Sequence, residues 1–158
     1  MIFSVKNLAP KHSVISVSSR SHTFNAPELV VDGIHDRNSN GVYNSECMWN
    51  IFISAYDQPE QWLRIDFGGW KHAMFVEIHN GVNSYWTTHI SNSQIYVYGE
   101  TPTENRQLCA KIVDGNHEVF YLPCVKTLYG KGIELYYPLI EGSAGRTMAI
   151  CEIIVLGY

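Results

Sequence analysis

The chain has 158 residues, a formal net charge of −4 at pH 7, and 16% charged, 46% hydrophobic and 13% aromatic residues; that is enough to bury a self-sufficient core, and the composition excludes a disordered chain. Its 11 Lys and Arg form no run, so the electrostatic footprint of nucleic-acid binding or of a polybasic membrane contact is missing. No stretch approaches the roughly 20 apolar residues that span a bilayer, and Met1–Val5 is too short for the apolar core of a signal peptide, so a secreted reading takes this as the mature form.

Strand signals are short and are bounded by turn residues. Ser13–Ser19 places Ile15 and Val17 on one face, with Val14, Ser16 and Ser18 on the other. A helical turn is expected only over Ala26–Val31, just before the turn Asp32-Gly33. The long irregular stretch from Asp32 to Glu60 carries the turn Asn40-Gly41, Cys47 and the cluster Met48-Trp49-Asn50-Ile51-Phe52. Loops of this length in compact domains are usually functional or pinned, and Cys47 is where this one would be pinned. Trp62–Phe67 sets Leu63, Ile65 and Phe67 on one face and is expected to stop at Gly68-Gly69. Further strands are expected at Ala73–His79, Gln94–Tyr98, Leu108–Ile112, Glu118–Leu122, Gly132–Tyr137 and Ile150–Leu156, with turns at Asn80-Gly81, Asp114-Gly115 and Tyr129-Gly130. About eight strands without an interior linker predict one all-β domain over residues 1–158, an antiparallel β-sandwich or jelly roll.

The four cysteines, Cys47, Cys109, Cys124 and Cys151, read as two disulfides in an extracellular module. Reduced core thiols are the alternative, and four cysteines permit three pairings. Asn7-Leu8-Ala9, Val31-Asp32-Gly33, Trp62-Leu63-Arg64-Ile65-Asp66-Phe67-Gly68 and Cys151-Glu152-Ile153-Ile154-Val155 occur in one order over nearly the whole chain. With the cysteines so placed, the sequence resembles the discoidin-like (F5/8 type C) superfamily and, within it, the F-type lectins or fucolectins. The resemblance implies an eight-stranded, galactose-binding-domain-like jelly roll with its binding loops gathered at one end. It also implies the pairings Cys47–Cys151 and Cys109–Cys124. Closing loops of about 100 and about 15 residues is worth at most roughly 4.7 and roughly 3 kcal/mol in the chain-entropy picture.

A structural calcium ion follows from the same resemblance. Calcium takes six to eight oxygens, from carboxylates and from carbonyls exposed where the backbone turns sharply. The implied ligands are the Leu29 carbonyl, the Asp32 carboxylate, the Ile34 carbonyl, Ser45 through its hydroxyl or carbonyl, the Cys151 carbonyl and the Glu152 carboxylate; Ser45 stands one residue farther from Cys47 than the family pattern has it. The bland alternative is an Asx-type turn at Asp32 and a surface ion pair at Glu152. Zinc is disfavoured, because none of the seven His, at 12, 22, 35, 72, 79, 89 and 117, has the tight spacing of a zinc site.

An F-type lectin holds fucose with one His, two Arg and a pair of adjacent cysteines. Here Trp49 stands at the His position, Gly81 and His89 at the Arg positions, and Ser84, Tyr85 and Trp86 where the cysteine pair would fall. That departure removes the family's fucose chemistry. What replaces it, Trp49, Tyr85 and Trp86 with Asn83, His89 and Asn92, suits a neutral glycan: rings stack on the C–H face of a pyranose while amides and imidazole bond its hydroxyls. The indoles could equally cap the open end of the sandwich. Trp62 is expected to be structural, with Arg64 and Asp66 forming a partly buried pair.

No Gly-x-Ser-x-Gly elbow, P-loop, dinucleotide fingerprint or paired-carboxylate motif nominates an enzyme. The leading expectation is a secreted, calcium-stabilised lectin-like module that recognises a glycan or glycoprotein with other than fucose-type specificity. The alternative is a protein-binding adhesion or assembly domain that has lost sugar binding. Lipid binding through Met48, Trp49, Ile51 and Phe52 is a third reading, weakened by the lack of nearby Lys or Arg. Single lectin sites are weak, so a homo-oligomer or a place in a multidomain chain is expected.

Overall fold

The computed structural model describes residues 4–20, 26–33, 51–55, 58, 60–80, 90–115, 117–138 and 147–158. Among these are eight strands: β1 Lys6–Asn7, β2 Val14–Val17, β3 Phe52–Ile53, β4 Gln61–Asn80, β5 Gln94–Tyr98, β6 Gln107–Lys111, β7 Val119–Tyr137 and β8 Ala149–Gly157. A 3-10 helix, Pro27–Val31, stands where the helical turn is expected, with Pro at its start. Every pairing is antiparallel, in the order β1-β8-β4-β7-β5-β6, with β2 on β4 and β3 on β8.

The sequence predicts breaks where the structure has bends. Trp62–Phe67 and Ala73–His79 are halves of the single strand β4, and Glu118–Leu122 and Gly132–Tyr137 are the ends of β7. Gly68 and Gly69 take φ of 71° and 151°, and the β4–β7 register shifts between Asp66 and Lys71. Only a residue without Cβ adopts this backbone freely, so the glycines let the strand turn without leaving its partner. Pairing resumes at Lys71 opposite Gly130, so Tyr129-Gly130 is part of the ladder rather than a turn. β1 and β3 are two-residue strands that carry no periodicity a sequence could reveal.

The bend builds the sandwich. Leu63, Ile65, Ile95, Val97, Ile133 and Leu135 of the front layer and Val76, Ile78, Phe120, Ile153 and Val155 of the back layer fall in one buried cluster. A small apolar cavity is lined from both halves of β4, by Leu63 and by Val76 and Ile78, so the strand doubles back on itself. Ile15 and Val17 pack on this core while Val14 and Ser16 face outward, as the alternation of β2 requires.

Folding β4 and β7 in half brings all four of their ends to one pole. Gln61 pairs with Tyr137, Asn80 with Ile150 and His79 with Val119, while Gln94 pairs with both Tyr136 and Lys111. The connections from β2 to β3, β3 to β4, β4 to β5, β6 to β7 and β7 to β8 all leave from this loop pole. The opposite, bend pole has the β4 and β7 bends and the β1–β2 and β5–β6 links.

Arg64 corrects a further expectation: its Nε donates to Glu134 Oε2 at 2.6 Å rather than pairing with Asp66. Arg64 and Glu134 are register partners across β4 and β7, and that cross-strand placement decides the pairing. The other Glu134 oxygen accepts from Arg106, and the carboxylate is 0% exposed. The Arg64 guanidinium lies 3.7 Å from the Trp62 ring centroid, and that of Arg106 lies 4.2 and 4.8 Å from Tyr96 and Tyr136. Trp62 is thus a structural ring, as expected, while Asp66 accepts from the Gly68 N–H at 2.7 Å and fastens the bend.

Candidate functional site at the loop pole

The loop pole is anchored by polar contacts from the strand ends. The Asn80 side chain, fully buried at the end of β4, donates to the Gly115 and His117 carbonyls at 3.3 Å each, and its backbone N–H donates to Glu118 at 2.8 Å. The Gly115 N–H donates to Ser91 Oγ at 2.8 Å, and the Asn92 N–H to the Ile112 carbonyl at 2.7 Å. Asn92 itself is exposed, with φ of 68°. On the other side, the Met148 N–H donates to Ser54 Oγ at 2.7 Å and to Gln61 Oε1 at 3.1 Å, while Gln61 donates to the Ala55 carbonyl at 3.2 Å. No local sequence pattern marks Ser54 or Gln61, and Asn80 ahead of Gly81 reads only as a turn.

Of the residues expected to meet sugar, Trp49, Asn83, Tyr85, Trp86 and His89 lie outside the described residues, within connections that start and end at this pole. Ile51 and Phe52, from the cluster considered for lipid, are buried at 2% and 0% exposure, and Phe52 pairs with Ile150 in β3. These two are core residues, which removes half of that cluster from any membrane contact.

The acidic corner is partly described. Asp32 follows the 3-10 helix and Gly33 takes φ of 83°, which turns the Gly33 N–H onto Glu152 Oε2 at 3.3 Å. Glu152 is 2% exposed on β8. Burial pushes its carboxyl up to about 8, and the neighbouring Asp32 charge adds to the rise, against the lowering effect of the Gly33 and Asp32 N–H groups. Residues 120 apart in sequence thus present two carboxylates to one another, and among the described residues no Lys or Arg forms an ion pair with Glu152. Leu29 lies in the 3-10 helix and Cys151 beside Glu152. Ile34, Ser45 and Cys47 lie outside the described residues. No three His, Cys, Asp or Glu side chains among the described residues form a metal-binding group.

Cys109 of β6 and Cys124 of β7, 15 positions apart in sequence, form a disulfide. Cys151 is disulfide-bonded as well.

Neither a protein-family model nor a curated protein matches the sequence. Solved structures do match the fold. The Streptococcus pneumoniae fucose-binding module SpX-3 superposes with a TM-score of 0.72 at 20% identity, over 97% of this chain and 98% of that one. A fucolectin from striped bass (Morone saxatilis) serum gives 0.77 at 18% identity, over 99% of this chain and 50% of the fucolectin chain. The family 32 CBM from C. perfringens NanJ, solved in complex with galactose, gives 0.70 at 12% identity, over 97% and 99%. The bent β4–β7 pair, the loop pole and these superpositions together give the chain the discoidin-like, galactose-binding-domain-like β-sandwich fold, the fold of F-type lectins and bacterial sugar-binding modules.

Proposed function

We propose that the chain is a secreted, calcium-stabilised lectin-like module that binds a glycan at its loop pole, with a specificity other than the fucose pattern. The observation that carries this reading is the fold itself: its solved relatives are sugar-binding modules and lectins, and the topology gathers the long connections at one pole. Function on a shared fold resides in the site, so the ligand follows from the side chains that replace the family's His and Arg residues. Trp49, Tyr85 and Trp86 would supply stacking surface, and Asn83, His89 and Asn92 hydrogen bonds to hydroxyls.

Calcium suits the acidic corner. Its donors are all oxygen, and a buried carboxylate facing a second one gains from a divalent cation between them. Leu29, Asp32, Ile34, Ser45, Cys151 and Glu152 would hold the ion, which would tie the loop after Gly33 to β8. Disulfides at Cys109–Cys124 and at Cys151 favour an oxidising compartment.

A glycan array probed with the multimerised protein tests the sugar reading. Binding to a set of non-fucosylated glycans is expected, weakened by Trp49→Ala or Trp86→Ala. An empty array, or binding that neither substitution alters, refutes it; capture of a partner that survives deglycosylation would favour an assembly domain instead.

A further inference from the structure

We propose that the bend pole holds a second ligand site, a cleft that takes a single acidic sugar ring by its carboxylate. The cleft, of about 250 Å³, lies between the β1–β2 link with the start of β2 and the bend of β4, at the end of the sandwich opposite the long loops. Lys11, His12, Ser13 and Val14 line one side, and Asp66 and Phe67 the other. Pockets for larger organic ligands run from about 300 Å³ upward, so this space suits one ring rather than a chain.

Both walls carry polar groups that the fold does not use up. Lys11 and His12 are exposed, and among the described residues neither side chain has a hydrogen bond or an ion pair. Asp66 spends one oxygen, Oδ1, on the Gly68 N–H at 2.7 Å and keeps the other for a ligand. A cation and a carboxylate thus line one cleft without meeting. The turn beside them is held in an unusual form. Pro10–Ser13 is a β-turn closed by the Ser13 N–H on the Pro10 carbonyl at 3.0 Å, and the Ser13 hydroxyl donates to the same oxygen at 2.8 Å. His12, third in the turn, takes φ of 79°, a backbone that glycine or asparagine adopts more readily. Histidine gives up turn stability there, and what it adds is an imidazole on the wall of the cleft.

These groups select the ligand. A purely anionic ligand would meet the Asp66 carboxylate, and a purely cationic one the Lys11 ammonium. An acidic monosaccharide satisfies both walls: its carboxylate accepts from Lys11 Nζ and from an imidazole N–H of His12, while ring hydroxyls donate to the second oxygen of Asp66. Its C–H face meets Val14, which is 72% exposed, and the rim of Phe67. A neutral sugar leaves Lys11 without a partner, and an amino sugar is repelled by it. The proposal does not depend on sugar binding at the loop pole.

Titration of the ¹⁵N-labelled protein with sodium glucuronate at constant ionic strength tests it. Saturable amide shifts are expected at Lys11, His12, Ser13, Asp66, Phe67 and Gly68, with a dissociation constant of about 1–10 mM, as two charge-assisted contacts would give. Glucose, acetate and glycine should each bind about tenfold more weakly or worse, and Lys11→Gln should weaken glucuronate about tenfold. His12→Gly should weaken it about fivefold without lowering the melting midpoint, since glycine relaxes the turn; a residue that only shapes the turn would leave affinity unmoved. Absence of saturable shifts at these amides overturns the proposal. Acetate or glycine matching glucuronate would mean an adventitious ion only, and glucose matching it would mean that the carboxylate is not read; either overturns it, as does unchanged affinity in either variant.

Discussion

Glu134→Gln is the substitution that most severely tests how the front layer is held. The carboxylate is 0% exposed and its two oxygens accept from Arg64 and Arg106, whose side chains are 17% and 30% exposed. Glutamine keeps the volume but turns an N–H₂ donor toward a guanidinium and removes the only negative charge between two positive ones. Removing one partner from a buried ionic cluster costs about 3–5 kcal/mol. Water reaches both guanidinium groups in part, so the lower end applies, about 3 kcal/mol. For a domain of this size each kcal/mol moves the melting midpoint by about 2–4 °C, which predicts a fall of about 6–12 °C. Arg106→Gln, at the more exposed partner, should cost about 1–2 kcal/mol. Urea denaturation followed by tryptophan fluorescence gives both values. A loss below about 1 kcal/mol for Glu134→Gln, with the slope unchanged, would refute the claim that this carboxylate organises the strands around it.

At the acidic corner, the melting midpoint in excess Ca²⁺ should exceed that in EDTA by about 5–10 °C, as expected for a ligand near 100-fold above its dissociation constant, and Glu152→Gln should remove the difference; equal midpoints for the wild type would count against calcium. In alkali, burial first and the Asp66 charge next push Tyr98 up to about 12 from 10. Its folded state favours the neutral phenol, so the stability this confers is present below pH 10 and is lost as pH rises from 10 toward 12. Urea midpoints should fall less steeply over that window in Tyr98→Phe, and parallel curves for the two proteins would contradict the assignment.

Much of this architecture is legible in residue order. The alternation in Ser13–Ser19, Trp62–Phe67 and Gln94–Tyr98 marks strands correctly because one face of each must be buried. Gly68-Gly69 misleads, since glycine at positive φ serves a chain reversal and a bulged bend alike; the choice depends on whether β7 can follow the bend, through Gly130 and Gly132, some 60 residues later. The Arg64–Glu134 pair is invisible for the same reason, because strand register and not sequence spacing brings the two together. Asp32 and Glu152 could be joined in advance only through family resemblance, as no local pattern links residues that far apart. For Trp49 and Trp86, composition announces aromatic loop residues, yet stacking on sugar and capping a sandwich call for the same side chain.

Titration of the ¹⁵N-labelled protein with a panel of galactose, fucose and chitosan oligosaccharides, followed by amide chemical shifts, tests sugar binding at the loop pole most directly. The account predicts saturable shifts for a non-fucose member of the panel, concentrated at Gly33, Asn80, Asn92 and Gly115, with Trp70, His72 and Tyr129 unmoved. No saturable shift with any sugar, or shifts centred on the bend pole, would contradict it.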